Sequence, residues 1–121
     1  MSKRYRHGMN WIRQEKRLAI YLRDKFACIY CGAGVESEET IFSLDHVKHY
    51  GGNQVENLVT ACMDCNTQKG NSKVADFVKG LPEDREVVLA RVARALATPV
   101  NLEEAKQMIR SRKTQTEENP F

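Results

Sequence analysis

Four cysteines fall into two matched pairs, Cys28-Ile29-Tyr30-Cys31 and Cys62-Met63-Asp64-Cys65, with thirty residues between them. At C-x-x-C spacing both sulfurs of one turn reach a single ion, and two such pairs wrap a tetrahedral Zn²⁺. The following backbone N–H groups of such a turn point back at the thiolates. Gly32, directly after Cys31, tolerates the positive φ that the turn needs. A redox dithiol is the competing reading of one pair, and disulfides are the reading for a secreted chain. Two matched pairs instead predict structural zinc on Cys28, Cys31, Cys62 and Cys65. Four thiolates close that site to substrate, so this ion holds the fold and does not react.

Between and beside the pairs stands an ordered set of polar residues. Leu44-Asp45-His46-Val47 is followed by Gly51-Gly52, by Glu56-Asn57-Leu58, and by Cys62-x-x-Cys65-Asn66-x-x-Lys69-Gly70. This series, over about Cys28 to Gly70, resembles the HNH endonuclease family with its ββα-metal fold. The last motif position is Asn66 in place of histidine, an H-N-N version that the family also uses.

Phosphodiester hydrolysis needs a water made nucleophilic and a charged leaving oxygen stabilised. A histidine with its ordinary pKa of ~6.5 can take the water's proton at neutral pH. A divalent cation beside the phosphate stabilises the leaving 3′ oxygen. The resemblance implies that His46 is the general base and that Asp45 and Asn66 bind a catalytic Mg²⁺ or Mn²⁺ through oxygen. It also implies that Asn57 holds the loop and orients His46. Lys69, one helical turn beyond Asn66, is expected to contact phosphate. The loop from His46 to Gly51 is shorter than in many relatives, so His49 either supplements the site or is an ordinary exposed histidine. His7 carries no signal.

The elements that must position these groups are legible in outline. Trp11, Leu18, Leu22 and Phe26 recur at helical spacing over residues 10–26, with Arg13, Lys16, Arg17 and Arg23 largely elsewhere around the helix. The Trp and Leu stripe reads as core. Thr40 to Leu44 and Leu58 to Ala61 read as strands, and Met63 to Lys69 as a short helix stopped by Gly70. Helices are expected over 73–79 with Ser72 as cap, over 82–97 with Pro82 in the first turn, and over 101–112 behind Asn101. The expected fold class is α+β: a basic arm (1–9), one domain (10–113) with its zinc-stapled ββα core at 28–70, and a disordered tail (114–121).

Charge points to the partner. The chain of 121 residues has a net charge of +3, yet its first 25 residues hold eight basic side chains against two acidic ones. A basic end either attracts a polyanion, most often nucleic acid, with sequence-independent and salt-dependent affinity, or is the solvated face of an ordinary helix; the family resemblance implies DNA. No apolar run approaches the ~20 residues of a membrane span, and no secretory signal is visible, so the expected compartment is the reducing cytoplasm. The expectation is therefore a DNA endonuclease of low sequence specificity, nicking or cutting both strands, as monomer or homodimer. Two other readings stand beside it: a non-catalytic zinc-stapled DNA-binding module and a protein-interaction adaptor.

Overall fold

The computed structural model describes residues 11–34, 36 and 39–118, with side chains as far as Arg112. The basic arm with His7 lies outside the described residues. The elements in order are α1 (Gln14–Arg23), β1 (Phe42–His46), β2 (Leu58–Cys62), α2 (Met63–Lys69), α3 (Val74–Phe77), α4 (Arg85–Ala97) and α5 (Leu102–Glu118). Short 3₁₀ turns at Val55–Asn57 and Val78–Gly80 join some of them. This is the mixed α+β arrangement expected, with a strand–strand–helix unit at its centre.

β1 and β2 form an antiparallel hairpin running from Phe42 opposite Cys62 to His46 opposite Leu58. Every residue of β2 is buried, so the hairpin is covered on both faces. On one face Val59 and Ala61 pack with Tyr30 and with Val78, Val88, Val92 and Ala95. On the other, Leu44 and Leu58 meet Ile12 and Ile20, with Trp11 against them. The alternation of a pleated strand sorts Leu58 from Val59 between the two clusters.

Several boundaries differ from expectation, each for a local reason. β1 starts two residues late and runs through Asp45 and His46, because pairing with β2 continues past the apolar residues. α1 is shorter than 10–26. It closes at Asp24, and Lys25 and Phe26 adopt positive φ (60° and 52°) as the chain reverses toward the first cysteine turn. α3 begins after Lys73, not from a Ser72 cap, and gives way to the 3₁₀ turn. α4 begins at Arg85 because the Asp84 carboxylate accepts from Glu86 N at 2.8 Å, which leaves Pro82 outside the helix. Asn101 does cap α5, accepting from Glu104 N at 3.0 Å. That helix runs on to Glu118, since neither glycine nor proline interrupts residues 102–118. Its last turns thus replace part of the expected tail. Among the described residues no helix is long and apolar enough to cross a membrane.

Candidate active site and metal centre

The first cysteine turn follows α1, and the second bridges the end of β2 and the start of α2. Folding of the hairpin brings them together. The four sulfurs lie within 4.8 Å of one another, with Cys31 Sγ 3.8 Å from Cys62 Sγ. A tetrahedral zinc with Zn–S bonds of about 2.3 Å requires sulfurs about 3.8 Å apart, so the cluster is compatible with structural zinc. Cys31 N donates to Cys28 Sγ (3.5 Å) and Cys65 N to Cys62 Sγ (3.4 Å), the N–H-to-sulfur pattern that supports thiolate charge. Gly32 has φ 83°, as the turn needs. Without the ion the charges are unwelcome: burial pushes the Cys28 thiol up to about 11 and that of Cys65 further still. Burial acts the same way on exposed Cys31, but the Ala33 N–H and the neighbouring thiols outweigh it and hold Cys31 below its usual value.

Beside this cluster, at the end of β1, lies an open cleft of about 540 Å³. Asp45, His46 and Asn66 line it together with Trp11, His49 and Asn53, and no cysteine does. A larger groove of about 750 Å³ between α1 and α5 is lined by Leu18, Phe26, Met108 and Ile109. It lies apart from these residues, so size does not decide the site. The side-chain chemistry does.

Asp45 and His46 are successive strand residues and leave β1 in different directions. Asp45 is buried, and its Oδ2 accepts from the Tyr30 hydroxyl at 2.5 Å and lies 3.1 Å from Lys69 Nζ. Burial raises the Asp45 pKa above the usual carboxylate value, against the lowering influence of Tyr30 and Lys69. Burial, and then the charge of Asp45, push the Tyr30 phenol far up, so Tyr30 keeps its proton and donates it. His46 turns the other way. Its Nε2 lies 2.7 Å from Asn53 Oδ1, and its ring centroid is 4.9 Å from that of Trp11.

Asn66, on α2, is half-buried. Its amide nitrogen donates to Ser43 Oγ (3.1 Å) and Leu44 O (3.4 Å), which anchors α2 to β1 and frees Oδ1 from those contacts. Asn57 is buried and holds the loop at both ends of its side chain. Oδ1 accepts from Lys48 N, and Nδ2 donates to Lys48 O and Gly52 O, all at 2.9 Å. Its backbone oxygen accepts from Val47 N at 2.9 Å.

Two expectations need correction. The Asn57 side chain secures the loop, but the group on the His46 ring is Asn53, which the sequence marks only as part of a Gly-Gly-Asn turn. Lys69 is 1% exposed and is spent on Asp45 and on His46 O (3.0 Å), so it does not present a charge to phosphate. Trp11, read as core, does pack against the cluster of Ile12, Ile20, Leu44 and Leu58, and its ring also lies against that of His46. His49 is exposed, on the rim of the cleft, with its ring edge-on to Tyr50.

Comparison with known proteins agrees with this geometry. Residues 28–72 match the family model described as HNH endonuclease. A Bacillus subtilis (strain 168) protein named "SPbeta prophage-derived putative HNH endonuclease YoqL" is 33% identical over 65 residues, which cover 46% of this chain and 27% of that protein. The chain thus spans about a quarter of that relative. No solved structure gives a significant match. The hairpin, the helix after it and the cysteine cluster all lie within the residues 28–72 that match the HNH endonuclease model, and their order fits a ββα fold.

Proposed function

We propose that this chain is a metal-dependent endonuclease that hydrolyses phosphodiester bonds in DNA, with His46 as general base. The observation that carries the reading is the convergence of His46, Asp45 and Asn66 on one open cleft while the four cysteines stay outside it. One ion site is closed by sulfur. The other offers oxygen, an open face and a base.

Asp45 and Asn66 suit a hard divalent cation, Mg²⁺ or Mn²⁺, which accepts few protein ligands and keeps its remaining positions for water and phosphate. Asp45 Oδ1 has only a long 3.5 Å contact with Lys69, and the oxygen of Asn66 is free of that residue's donor contacts. Such a cation would neutralise the charge that develops on the leaving 3′ oxygen. His46 takes the proton of a water as its oxygen bonds to phosphorus, and the P–O3′ bond breaks in the same displacement. Asn57 keeps the loop closed over β1. Lys69 balances the charge of Asp45 from behind, so its role is positioning. The basic residues that precede α1 in the sequence (Lys3, Arg4, Arg6 and Arg13) would add sequence-independent affinity for the backbone, consistent with low sequence specificity.

The test is cleavage of supercoiled plasmid with added Mg²⁺ or Mn²⁺, with and without chelator, by the wild type and His46→Ala. Metal-dependent nicked or linear product is expected from the wild type, with a loss of about 10²-fold or more in the variant. Retained cleavage by a folded His46→Ala protein would remove His46 from the role of base. The second reading, a DNA-binding module that does not cleave, draws on one feature: Asp45 Oδ2 is already engaged by Tyr30 and Lys69. It predicts a mobility shift with DNA and no cutting under either ion.

A further inference from the structure

The HNH match ends at residue 28 on the N-terminal side, yet the His46 ring is touched by a residue well before it. Trp11 lies against one side of the imidazole, with ring centroids 4.9 Å apart and planes 34° apart. Behind it the Arg17 guanidinium sits 5.8 Å from the indole centroid, in cation–π range. Lys16, also on α1, donates from Nζ to the backbone oxygen of Asn53 at 2.5 Å. Asn53 Oδ1 in turn lies 2.7 Å from His46 Nε2. The segment from Trp11 into α1 therefore holds His46 twice, directly through the Trp11 ring and, through Lys16, by way of the loop that carries Asn53.

We infer that Trp11 and Asn53 are positioning residues that fix both the orientation and the tautomer of His46, so that Nδ1 is the nitrogen presented to water. An amide oxygen cannot donate, so a hydrogen bond between Asn53 Oδ1 and Nε2 requires the proton on Nε2. In neutral imidazole that leaves the lone pair on Nδ1. A flip of the ring about χ2 would put Cε1 where Nε2 meets Asn53 and Cδ2 where Nδ1 faces water, and the indole packed along its side resists that motion. Lys16 matters because Asn53 follows two glycines, and Gly52 has φ 89°; an external anchor restrains a turn that its own sequence leaves adaptable. By this arrangement the HNH segment alone is incomplete: α1 and the residues before it finish the catalytic geometry.

This inference rests on the assignment of His46 as base, and the decisive readout does not depend on cleavage. ¹⁵N NMR of the neutral His46 imidazole is expected to show the Nε2–H tautomer in the wild type and a mixture in Asn53→Ala. Asn53→Asp retains an acceptor and should restore the Nε2–H form. In plasmid cleavage, Asn53→Ala and Trp11→Ala should each lower kcat by about 10-fold or more with KM little changed, and Trp11→Phe should recover most of the loss. A wild-type His46 protonated on Nδ1 overturns the inference, as does an unaltered tautomer in Asn53→Ala. Where the wild type shows the Nε2–H tautomer and no cleavage, the nuclease reading fails while the positioning of His46 stands. Circular dichroism of each variant separates loss of positioning from loss of fold. If Trp11→Ala does not fold, Trp11→Phe and the Asn53 pair still decide the matter.

Discussion

Lys69 Nζ lies 3.1 Å from Asp45 Oδ2 with side-chain exposures of 0% and 5%, an ion pair sealed between the helix and the first strand of the ββα unit. The ammonium is also bonded to His46 O at 3.0 Å, so one cation ties down both Asp45 and His46 at the end of β1. Its burial follows from α2 itself. Cys65 and Lys69 are four residues apart, share the inward helix face and are both buried, so the helix that brings a sulfur to the cluster must bring Lys69 to β1.

Removing that cation should therefore harm stability before it harms DNA binding. Lys69→Met keeps the bulk but leaves the Asp45 carboxylate buried beside Tyr30 without its counter-ion. Breaking one side of a buried pair costs about 3–5 kcal/mol, visible as a lower urea midpoint. A phosphate contact would predict the opposite pattern, with stability unchanged and affinity for DNA reduced.

The Arg23–Asp24 pair makes a second buried strut, with Nε 2.8 Å from Oδ1 and both side chains 1% exposed. Arg23 also donates to Leu58 O and Val55 O, and Asp24 Oδ2 accepts from Thr60 N. Together they bind the end of α1 to β2. Asp24→Ala strands a buried guanidinium and an unpaired strand N–H, so a loss of about 3–5 kcal/mol is expected in chemical denaturation. Arg13→Ala, an exposed change at the other end of the helix, should shift the midpoint little.

Metal and pH should act on the cysteine cluster with opposite signs in the loaded and metal-free domain. In the metal-free fold the Cys28 thiol is raised from 9.0 to about 11, with Cys65 raised as well. A group raised in the folded state stabilises below its unfolded pKa, and that contribution is lost as pH climbs to the folded value. The metal-free domain should thus weaken between about pH 9 and 11. The zinc-loaded domain should weaken on acidification, because protons compete for the same sulfurs. Thermal melts with and without chelator across pH would show the two trends. Bound zinc near one equivalent is expected, and Cys62→Ser should lose the metal and melt well below the zinc-loaded wild type.

How much of this was legible in the sequence depends on whether a residue's partners are local. The helix Met63–Lys69 and the cysteine turns follow from spacing, a side-chain cap by Cys62 and the stop at Gly70. The end of β1 does not, because its extent is set by pairing with Leu58 and Val59 across the hairpin. Asn53 against His46 and Lys69 against Asp45 span 7 and 24 residues and depend on how the loop closes and how α2 docks. Asn and Lys are ordinary in a turn and at a helix end, so composition alone marks neither as part of the site. The i, i+4 spacing of Cys65 and Lys69 was the one signal that could have placed Lys69 inward.

Asn57 offers the last test, since its effect on the site should pass through the loop. Its side chain makes three hydrogen bonds at 2.9 Å to Lys48 and Gly52, and it is 5% exposed. Asn57→Ala removes all three and leaves the Lys48 backbone groups to find water. At about 1 kcal/mol for each bond, a loss of about 2–3 kcal/mol is expected in urea denaturation. Gly51 is held against this side chain so closely that a Cβ there would lie 2.8 Å from Asn57 Nδ2, so Gly51→Ala should loosen the same loop by displacement. Both variants free the segment that carries Asn53, so both should lower plasmid cleavage while zinc content stays at one equivalent. If either variant cleaves at the wild-type rate despite a lowered urea midpoint, the loop supports the fold alone and His46 is held without it.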